Sequence, residues 1–252
     1  MGNDLQPIDN NSKRSEKITK LATTIISTFG PIGSIVSTIV NESISSAHEQ
    51  RIIDFLNELY SLFKKQNKAI GDIQNSFEKM MSDNCNTLVF EQAVKASLET
   101  NSTILHHCYA FFIFNNVKEK KLEDVQHERL FRLIASLSEY EIIMLIGYSK
   151  PRFIGRDSEF DDEYEDIVFP RSRTIGSPEE DVIFNAFFDQ YIISLEQKGL
   201  ITRRPDIKQN NLKFSIQYTS PQITTIGELV VEAIYDEEFM LKKDETINEE
   251  KN

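Results

Sequence analysis

Residues 177–206 read SPEEDVIFNAFFDQYIISLEQKGLITRRPD, which is typical of a capped helix followed by a short strand. Ser177 is predicted to be the N-cap, with Pro178 in the first helical position and Glu180 completing a capping box. Gly199 is predicted to end the helix, because a left-handed residue is needed there and glycine adopts that conformation without strain. The stretch therefore predicts one helix that runs from Pro178 to Gly199.

Two strands are predicted after this helix. The first is LITRR at 200–204 and the second is LKFSIQY at 212–218, where apolar and polar side chains alternate as in a half-buried strand. A loop containing Asn210 and Asn211 joins them, and a last helix is predicted at about 225–235. The order of helix, strands and helix resembles the C-terminal half of a winged helix.

The N-terminal half has the periodicity of helices. Apolar residues over 18–39 recur at alternating spacings of four and three, which places them on one helix face, and Gly30-Pro31 predicts a kink or a break. A second seam over 52–80 predicts a rod of roughly 50 Å at 1.5 Å per residue. Such a rod needs a partner, either the first seam or another subunit. Three further helices are predicted at 87–99, 103–117 and 122–137.

The predicted fold is mainly α, with an N-terminal helical bundle of long helices and a C-terminal winged-helix-like α+β module. Its boundary is placed at Ser138-Glu139-Tyr140-Glu141, which has the pattern of a capping box. The predicted segments are a flexible arm, the bundle, the winged-helix-like domain and a disordered acidic tail, at 1–15, 16–137, 138–235 and 236–252. The tail is assigned from its high charge and low apolar content.

Charge is distributed unevenly along the chain, whose net charge is −12. Residues 1–130 carry 14 basic and 16 acidic side chains, whereas 131–252 carry 14 basic and 24 acidic ones. Because nucleic acid is bound largely through Lys and Arg, this acidity disfavours a nucleic-acid partner. Two distant cysteines, Cys85 and Cys108, and the lack of an apolar signal-peptide core in residues 1–20 favour a cytoplasmic protein.

The polar face of the helix over 178–199 predicts the kind of partner. A recognition helix offers this face to phosphates and base edges, and carboxylates in that position would repel the phosphates. We therefore predict contact with a protein, or self-association through the long helices, while a winged-helix transcriptional regulator stays open as an alternative. The predicted interaction residues are polar or charged: Asp181, Asn185, Asp189, Glu196, Arg203 and Arg204.

Residues 21–40 contain no charged side chain and are just long enough to cross a bilayer core. They form either an amphipathic hairpin buried in the bundle or a segment that enters a membrane on activation. In the second case, basic residues at 13–20 would meet anionic headgroups. The apolar positions of this possible membrane hairpin are Ile25, Phe29, Ile32, Ile35 and Val36.

No arrangement of residues in the sequence predicts catalysis, a cofactor or a metal. His106, His107 and Cys108 are adjacent, but neighbouring helical side chains point about 100° apart and cannot close on one ion without other ligands. The acidic run over 157–166 lacks the glycine and the terminal glutamate of a calcium loop and is predicted to be a solvated loop. No glycine-rich phosphate loop or nucleophile elbow occurs in the sequence. The chain is therefore predicted not to be an enzyme.

Three stretches carry a resemblance to a known family. They are FGPIGSIVSTIV leading to FLNELYSLFKK, then FEQAVKASLETNSTILHHCYAFFIFNNV, and finally SLEQKGLI followed by ITTIGELVVEAI. Together they resemble the Abi-alpha family of bacterial abortive-infection proteins over roughly 18–235. The family has basic residues after the first helix, whereas the corresponding stretch here, NESISSAHEQR, has few. The resemblance implies a role in defence against phage, without an established chemistry. The physical properties of the sequence allow two classes of protein for that role, an interaction module or a membrane-acting effector.

Overall fold

The computed structural model describes residues 46–65, 75, 78–79, 81–118, 124–150, 159–210 and 213–241. The chain forms two compact units, and the described part is mainly α, as the sequence patterns predict. One unit holds the chain up to His106 together with Ile113–Glu128, and the other holds His107–Phe112 and the chain from Arg129 onward. The predicted arm, most of the predicted rod beyond residue 65 and the tail beyond residue 241 lie outside the described residues.

Among the described residues, four helices contribute to the first unit, and the third and fourth are shared with the second unit. Phe55 and Phe90 lie with ring centroids 6.4 Å apart, and Phe63 meets Phe114 edge to face at 5.0 Å. Burying such rings is the main stabilising contribution of this core. The helices are α1 (Ser46–Lys65), α2 (Asn84–Leu98), α3 (Thr103–Lys118) and α4 (Asp124–Ala135).

Helix α2 begins three residues before the predicted position, because its N-cap is Asp83. The Asp83 carboxylate accepts hydrogen bonds from the backbone N–H groups of Cys85 and Asn86 at 2.9 and 3.4 Å. A short acidic side chain in this position satisfies amides that have no partner within the helix. The start at Thr87 was predicted from apolar periodicity, which does not detect a cap.

The second unit is built around one buried helix, α5. Five consecutive apolar residues of α5, Ile142 to Ile146, are completely shielded from solvent. The described elements of this unit are α5 (Glu139–Ser149), α6 (Glu159–Glu163), α7 (Glu165–Val168), α8 (Glu179–Gln197), β1 (Ile201–Thr202), β2 (Pro205–Asn210), β3 (Lys213–Tyr218), β4 (Gln222–Ile223), α9 (Thr225–Ile234) and α10 (Glu237–Met240). Helix α5 packs against α7, α8, α9 and β4.

The capping box predicted at Ser138 is confirmed. Ser138 N–H donates to the Glu141 carboxylate at 2.7 Å, and Glu141 N–H donates to Ser138 Oγ at 3.3 Å. The box fixes the start of α5 by satisfying two otherwise free amides.

The capping box predicted at Ser177 is wrong. Helix α8 begins at Glu179, and its N-cap residue, Pro178, makes no side-chain capping bond. Ser177 Oγ accepts a hydrogen bond from Thr174 N–H at 3.1 Å and donates to the Ser172 carbonyl at 3.3 Å. The hydroxyl is used inside the preceding loop, so it does not cap the helix.

The strands pair differently from the prediction. Ile201 in β1 pairs with Ile223 in β4, whereas the hairpin partner of β3 is β2, with Pro205 opposite Tyr218. Both pairs are antiparallel. Residues 203–204 separate β1 from β2, and residues 219–221 separate β3 from β4. The second connection is one residue longer than the first, which is typical of a β-bulge. The predicted strand at 200–204 is therefore divided at the bulge.

Two predictions about the acidic segments are also corrected. The run predicted to be a solvated loop forms α6 and α7 over its described part, because Phe160 and Val168 are buried. Residues 236–241, predicted to belong to a disordered tail, contain α10, where Asp236 caps the helix by accepting a hydrogen bond from Phe239 N–H at 3.4 Å. Met240 is buried and anchors this helix, which the high charge of the segment did not indicate.

The end of α8 at Gly199 is confirmed. Gly199 has φ of 72°, and Leu200 N–H donates to the Leu195 carbonyl at 2.9 Å, which closes the last turn. Across the following turn, Thr224 Oγ1 donates to the Gly199 carbonyl at 2.7 Å and begins α9.

Replacing Gly199 by valine should lower the free energy of unfolding by about 1–2 kcal/mol, because a β-branched residue resists the left-handed conformation. Gly199→Asn should have a milder effect, since asparagine tolerates that region better. Urea denaturation of the two variants and the parent measures the difference. Equal and negligible changes for both variants would contradict the assigned strain.

Candidate interaction surface

The solvent-facing side of α8 is apolar between the exposed Glu180 and Gln190. Val182, Ile183 and Phe187 are 60%, 51% and 59% exposed, and Ala186 between them is exposed as well. We call these four residues the α8 apolar face. Single exposed apolar residues are common on protein surfaces, but a contiguous group is typical of a binding site. The α8 apolar face is therefore the candidate functional site.

The opposite side of α8 faces the core. Phe188, Ile192 and Leu195 are buried and recur at spacings of three and four, as expected for one face of a helix. The α8 apolar face lies on the other side of the same helix. The sequence carried a signal of this, because the stretch VIFNAFFDQYII is apolar on more positions than one buried face requires.

An aromatic groove runs along one flank of the α8 apolar face. It encloses a cavity of about 210 Å³. Tyr140 and Tyr191 stack there in parallel with centroids 5.4 Å apart, and burial, followed by the nearby Tyr140 and Glu141, raises the pKa of Tyr191. The lining residues of the aromatic groove are Tyr140, Ile167, Phe184, Phe187, Phe188 and Tyr191.

A polar groove runs along the other flank of α8 and encloses a cavity of about 350 Å³. The loop before the helix forms one wall, and α8 forms the other. In this loop Ile175 is fully exposed next to Gly176. The lining residues of the polar groove are Ser172, Arg173, Thr174, Ser177, Val182, Asn185, Ala186 and Asp189.

Asn185 was predicted to lie on an exposed face of the helix. It is only 7% exposed and binds the loop. Its Oδ1 accepts a hydrogen bond from Arg171 N–H at 3.0 Å, and its Nδ2 donates to the carbonyls of Arg171 and Ser172, each at 3.3 Å. One amide side chain thus satisfies three backbone groups of a segment without regular structure. Its role is to hold the loop against α8, which explains its burial.

The two predicted carboxylates nearest to Asn185 are each paired with an arginine of the same loop. Arg173 donates two hydrogen bonds to Asp189, at 3.1 and 2.9 Å. Arg171 Nη1 lies 3.6 Å from Asp181 Oδ1, and its guanidinium lies 4.4 Å from the ring centre of Phe184. These pairs neutralise both carboxylates, of which Asp189 lines the polar groove beside the α8 apolar face.

The remaining predicted residues lie at the other end of α8. Arg203 donates to the Glu196 carboxylate at 2.7 and 3.2 Å through its guanidinium, and at 3.3 Å through its backbone N–H. Arg204 is exposed, and its backbone N–H donates to Thr219 Oγ1 at 2.9 Å. The structure therefore brings Asn185 and Asp189 together at the polar groove and pairs Glu196 with Arg203, but the six residues do not form one surface.

The adjacent residues His106, His107 and Cys108 make separate packing contacts. His106 Nε2 lies 3.1 Å from the Ser97 carbonyl, whereas the His107 ring stacks on Phe239 with centroids 3.6 Å apart. Cys108 is buried, and burial, followed by the charge of Glu139, raises the pKa of its thiol to about 12. Within the described ranges, no three His, Cys, Asp or Glu side chains are grouped so that they could hold a metal ion.

The possible membrane hairpin, with Ile25, Phe29, Ile32, Ile35 and Val36, lies outside the described residues. None of the helices in the described part of the chain has the length and apolar character that a bilayer crossing requires.

The chain matches no family model, no curated protein and no solved structure.

Proposed function

We propose that the chain is a cytoplasmic, non-enzymatic protein-interaction module that acts in bacterial defence against phage and binds its partner through the α8 apolar face. The observation that carries the proposal is the exposure of Phe187, 59% of whose surface faces solvent between two grooves. Buried aromatic anchors contribute most of the affinity at many protein interfaces. The α8 apolar face offers such an anchor already fixed on a helix.

We also propose that residues 138–235 form a winged-helix-like module, in which β2 and β3 are the wing. The order of α8, β1, β2, β3, β4 and α9 supports this reading. Helix α8 would then occupy the position of a recognition helix. Its exposed face carries apolar side chains, and Arg203 at the start of the wing is paired with Glu196, so neither of these two described parts offers the basic groups that phosphates require. This favours a protein partner over DNA.

The role in phage defence is supported by the resemblance to the Abi-alpha family. It is tested by plating a panel of phages on cells that express the chain and on cells that carry an empty vector. Lower plaque numbers are expected with the chain for at least one phage. No reduction for any phage of the panel would count against a role in defence.

In the same cells, Phe187→Asp should restore plaque numbers towards those of the empty vector. Loss of an aromatic anchor costs about 2 kcal/mol or more in binding, which corresponds to roughly a 30-fold weaker complex. The matched control is Ile226→Asp, which places the same charge at a residue of α9 that is 51% exposed. Equal expression of the variants is checked by immunoblot. Full protection by Phe187→Asp would show that the α8 apolar face is not the binding site.

A further inference from the structure

We infer that the partner on the α8 apolar face is a second copy of this chain, whose α8 packs antiparallel against the first across a two-fold axis near Ala186. This inference rests on the proposed function, because it names the occupant of the same surface. It differs from self-association through the long N-terminal helices, since it uses only residues of α8 and the two grooves beside it. Closed two-fold dimers are the most common oligomers of soluble proteins.

The shape of the surface fits another helix. Helix α8 has 19 residues and is therefore about 28 Å long. The α8 apolar face lies between the aromatic groove and the polar groove, and the rows of side chains on such a face pack between the rows of a second helix when two helices meet. Ala186 lies in the middle of the α8 apolar face, where its small side chain allows the axes of two helices to approach closely.

The two flanks of α8 are matched by this symmetry. In an antiparallel pair related by a two-fold axis across the helices, each flank of one helix faces the same flank of the other. The aromatic groove would then face the aromatic groove of the second copy, and the polar groove would face the polar groove. Phe187, which lines the aromatic groove, would pack against its counterpart and against Tyr140 and Tyr191 of the second copy. Apolar surface thus meets apolar surface across the α8 apolar face and the aromatic groove, while polar surface meets polar surface on the other flank.

The charges favour this occupant over a basic helix. Asp189, the carboxylate that lines the polar groove beside the α8 apolar face, is already paired with Arg173 of the same chain. A basic partner would have to displace this arginine, whereas a second copy brings a face that is itself uncharged at Val182, Ile183, Ala186 and Phe187. The contact is therefore complementary without new ion pairs.

The antiparallel orientation also separates the remaining acidic groups. Glu179 and Glu180 are exposed in the first turn of α8, six to seven residues before Ala186, or about 10 Å along the axis. Antiparallel packing places the two first turns about 20 Å apart, which exceeds the screening length of about 8 Å at physiological salt. Parallel packing would place four carboxylates side by side. Repulsion therefore selects the antiparallel pair.

Sedimentation equilibrium of the full chain at about 1–100 μM tests the inference. The parent should show twice the monomer mass of 29.1 kDa. Phe187→Asp should weaken the dimer at least about 30-fold, because two aromatic anchors are lost in each dimer. Ile226→Asp should leave the dimer unchanged. Circular dichroism confirms that both variants keep their helices.

A cysteine at the axis gives a second readout, which does not depend on how well Phe187→Asp folds. Ala186→Cys in a Cys85→Ser background should form a covalent dimer under mild oxidation, because disulfides require Cα atoms about 4.4–6.8 Å apart. Cys108 is buried and stays in place. Glu179→Cys in the same background is the control, since its two copies would lie about 20 Å apart and should not cross-link.

A parent chain that remains a monomer at 100 μM would overturn the inference, as would a dimer that Phe187→Asp leaves intact. Cross-linking through Glu179→Cys with none through Ala186→Cys would overturn it too. These results are distinguishable from failure of the proposed function. A monomeric parent whose protection against phage is still abolished by Phe187→Asp would keep the α8 apolar face as a binding site and assign it to a different partner.

Discussion

Phe131→Ala should lower the free energy of unfolding of the chain by about 3–5 kcal/mol, the range for removing a large buried side chain. Phe131 is completely shielded from solvent in the second unit. Its ring lies 5.7 Å from that of Tyr109 and 5.3 Å from that of Phe112, so its loss leaves a cavity between aromatic neighbours. Urea denaturation followed by circular dichroism measures the change.

The matched control is Phe187→Ala, which removes the same side chain from an exposed position. Because Phe187 makes little contact with the core, its truncation should lower the free energy of unfolding clearly less than that of Phe131. The measurement is made at low protein concentration, so that association does not contribute to the stability of the parent. Losses of similar size at the two positions would contradict the assignment of Phe131 to the core and of Phe187 to the surface.

Lys198→Met should lower the free energy of unfolding by about 3 kcal/mol, because it leaves the buried carboxylate of Glu141 without its cation. Lys198 Nζ donates to Glu141 Oε1 at 2.7 Å, and the two side chains are 23% and 6% exposed. The expected cost is at the lower end of the range for buried pairs, since Lys198 keeps some contact with solvent. Chemical denaturation at pH 7 measures it.

The loss should depend on pH. Burial raises the pKa of Glu141, but hydrogen bonds from Lys198, Ser138 and Ser194 more than offset this, so its pKa lies below the ordinary value. A carboxyl whose pKa is depressed on folding stabilises the protein above its unfolded pKa, and this contribution is lost as the pH falls through the folded pKa. The difference between the parent and Lys198→Met should therefore be largest near pH 7 and smaller near pH 3, where protonation removes the uncompensated charge.

Arg173→Met is the control for an ion pair of the other kind. Arg173 and Asp189 are 49% and 47% exposed, so water screens their attraction, and the expected loss is below about 1 kcal/mol. A pH-independent loss for Lys198→Met, or a loss as small as that of Arg173→Met, would show that Glu141 is not held in a buried charged state.

The sequence predicted helices α5, α8 and α9 of the second unit but not the details that depend on neighbours. The pattern Ser-x-x-Glu occurs at both Ser138 and Ser177, yet only Ser138 forms a capping box. At Ser138 the partner Glu141 is also fixed by Lys198, which lies far away in the sequence. The Ser177 hydroxyl is instead hydrogen-bonded to Thr174 and Ser172 of its own loop. Local spacing cannot distinguish these outcomes, because the competing contacts are tertiary.

Four of the six predicted interaction residues lie on α8, as the α8 apolar face does, but none of them belongs to that face. Polar side chains were expected to face solvent and apolar ones the core, which is the usual pattern of a surface helix. In α8 the polar Asn185 is buried while Phe187 and Ile183 are exposed. The burial of Asn185 follows from its bonds to residues 171 and 172, and nothing in the periodicity of α8 itself indicates them.

The three bonds of Asn185, together with the Arg173–Asp189 pair, have a kinetic consequence for any partner of α8. They hold the loop that carries Ile175 in one position relative to the helix before a partner arrives. Ordering a loop during association costs conformational entropy and slows the encounter, whereas a surface that is already rigid avoids both. Asn185→Ala would therefore weaken a complex mainly by slowing its formation, although the Asn185 side chain is itself buried.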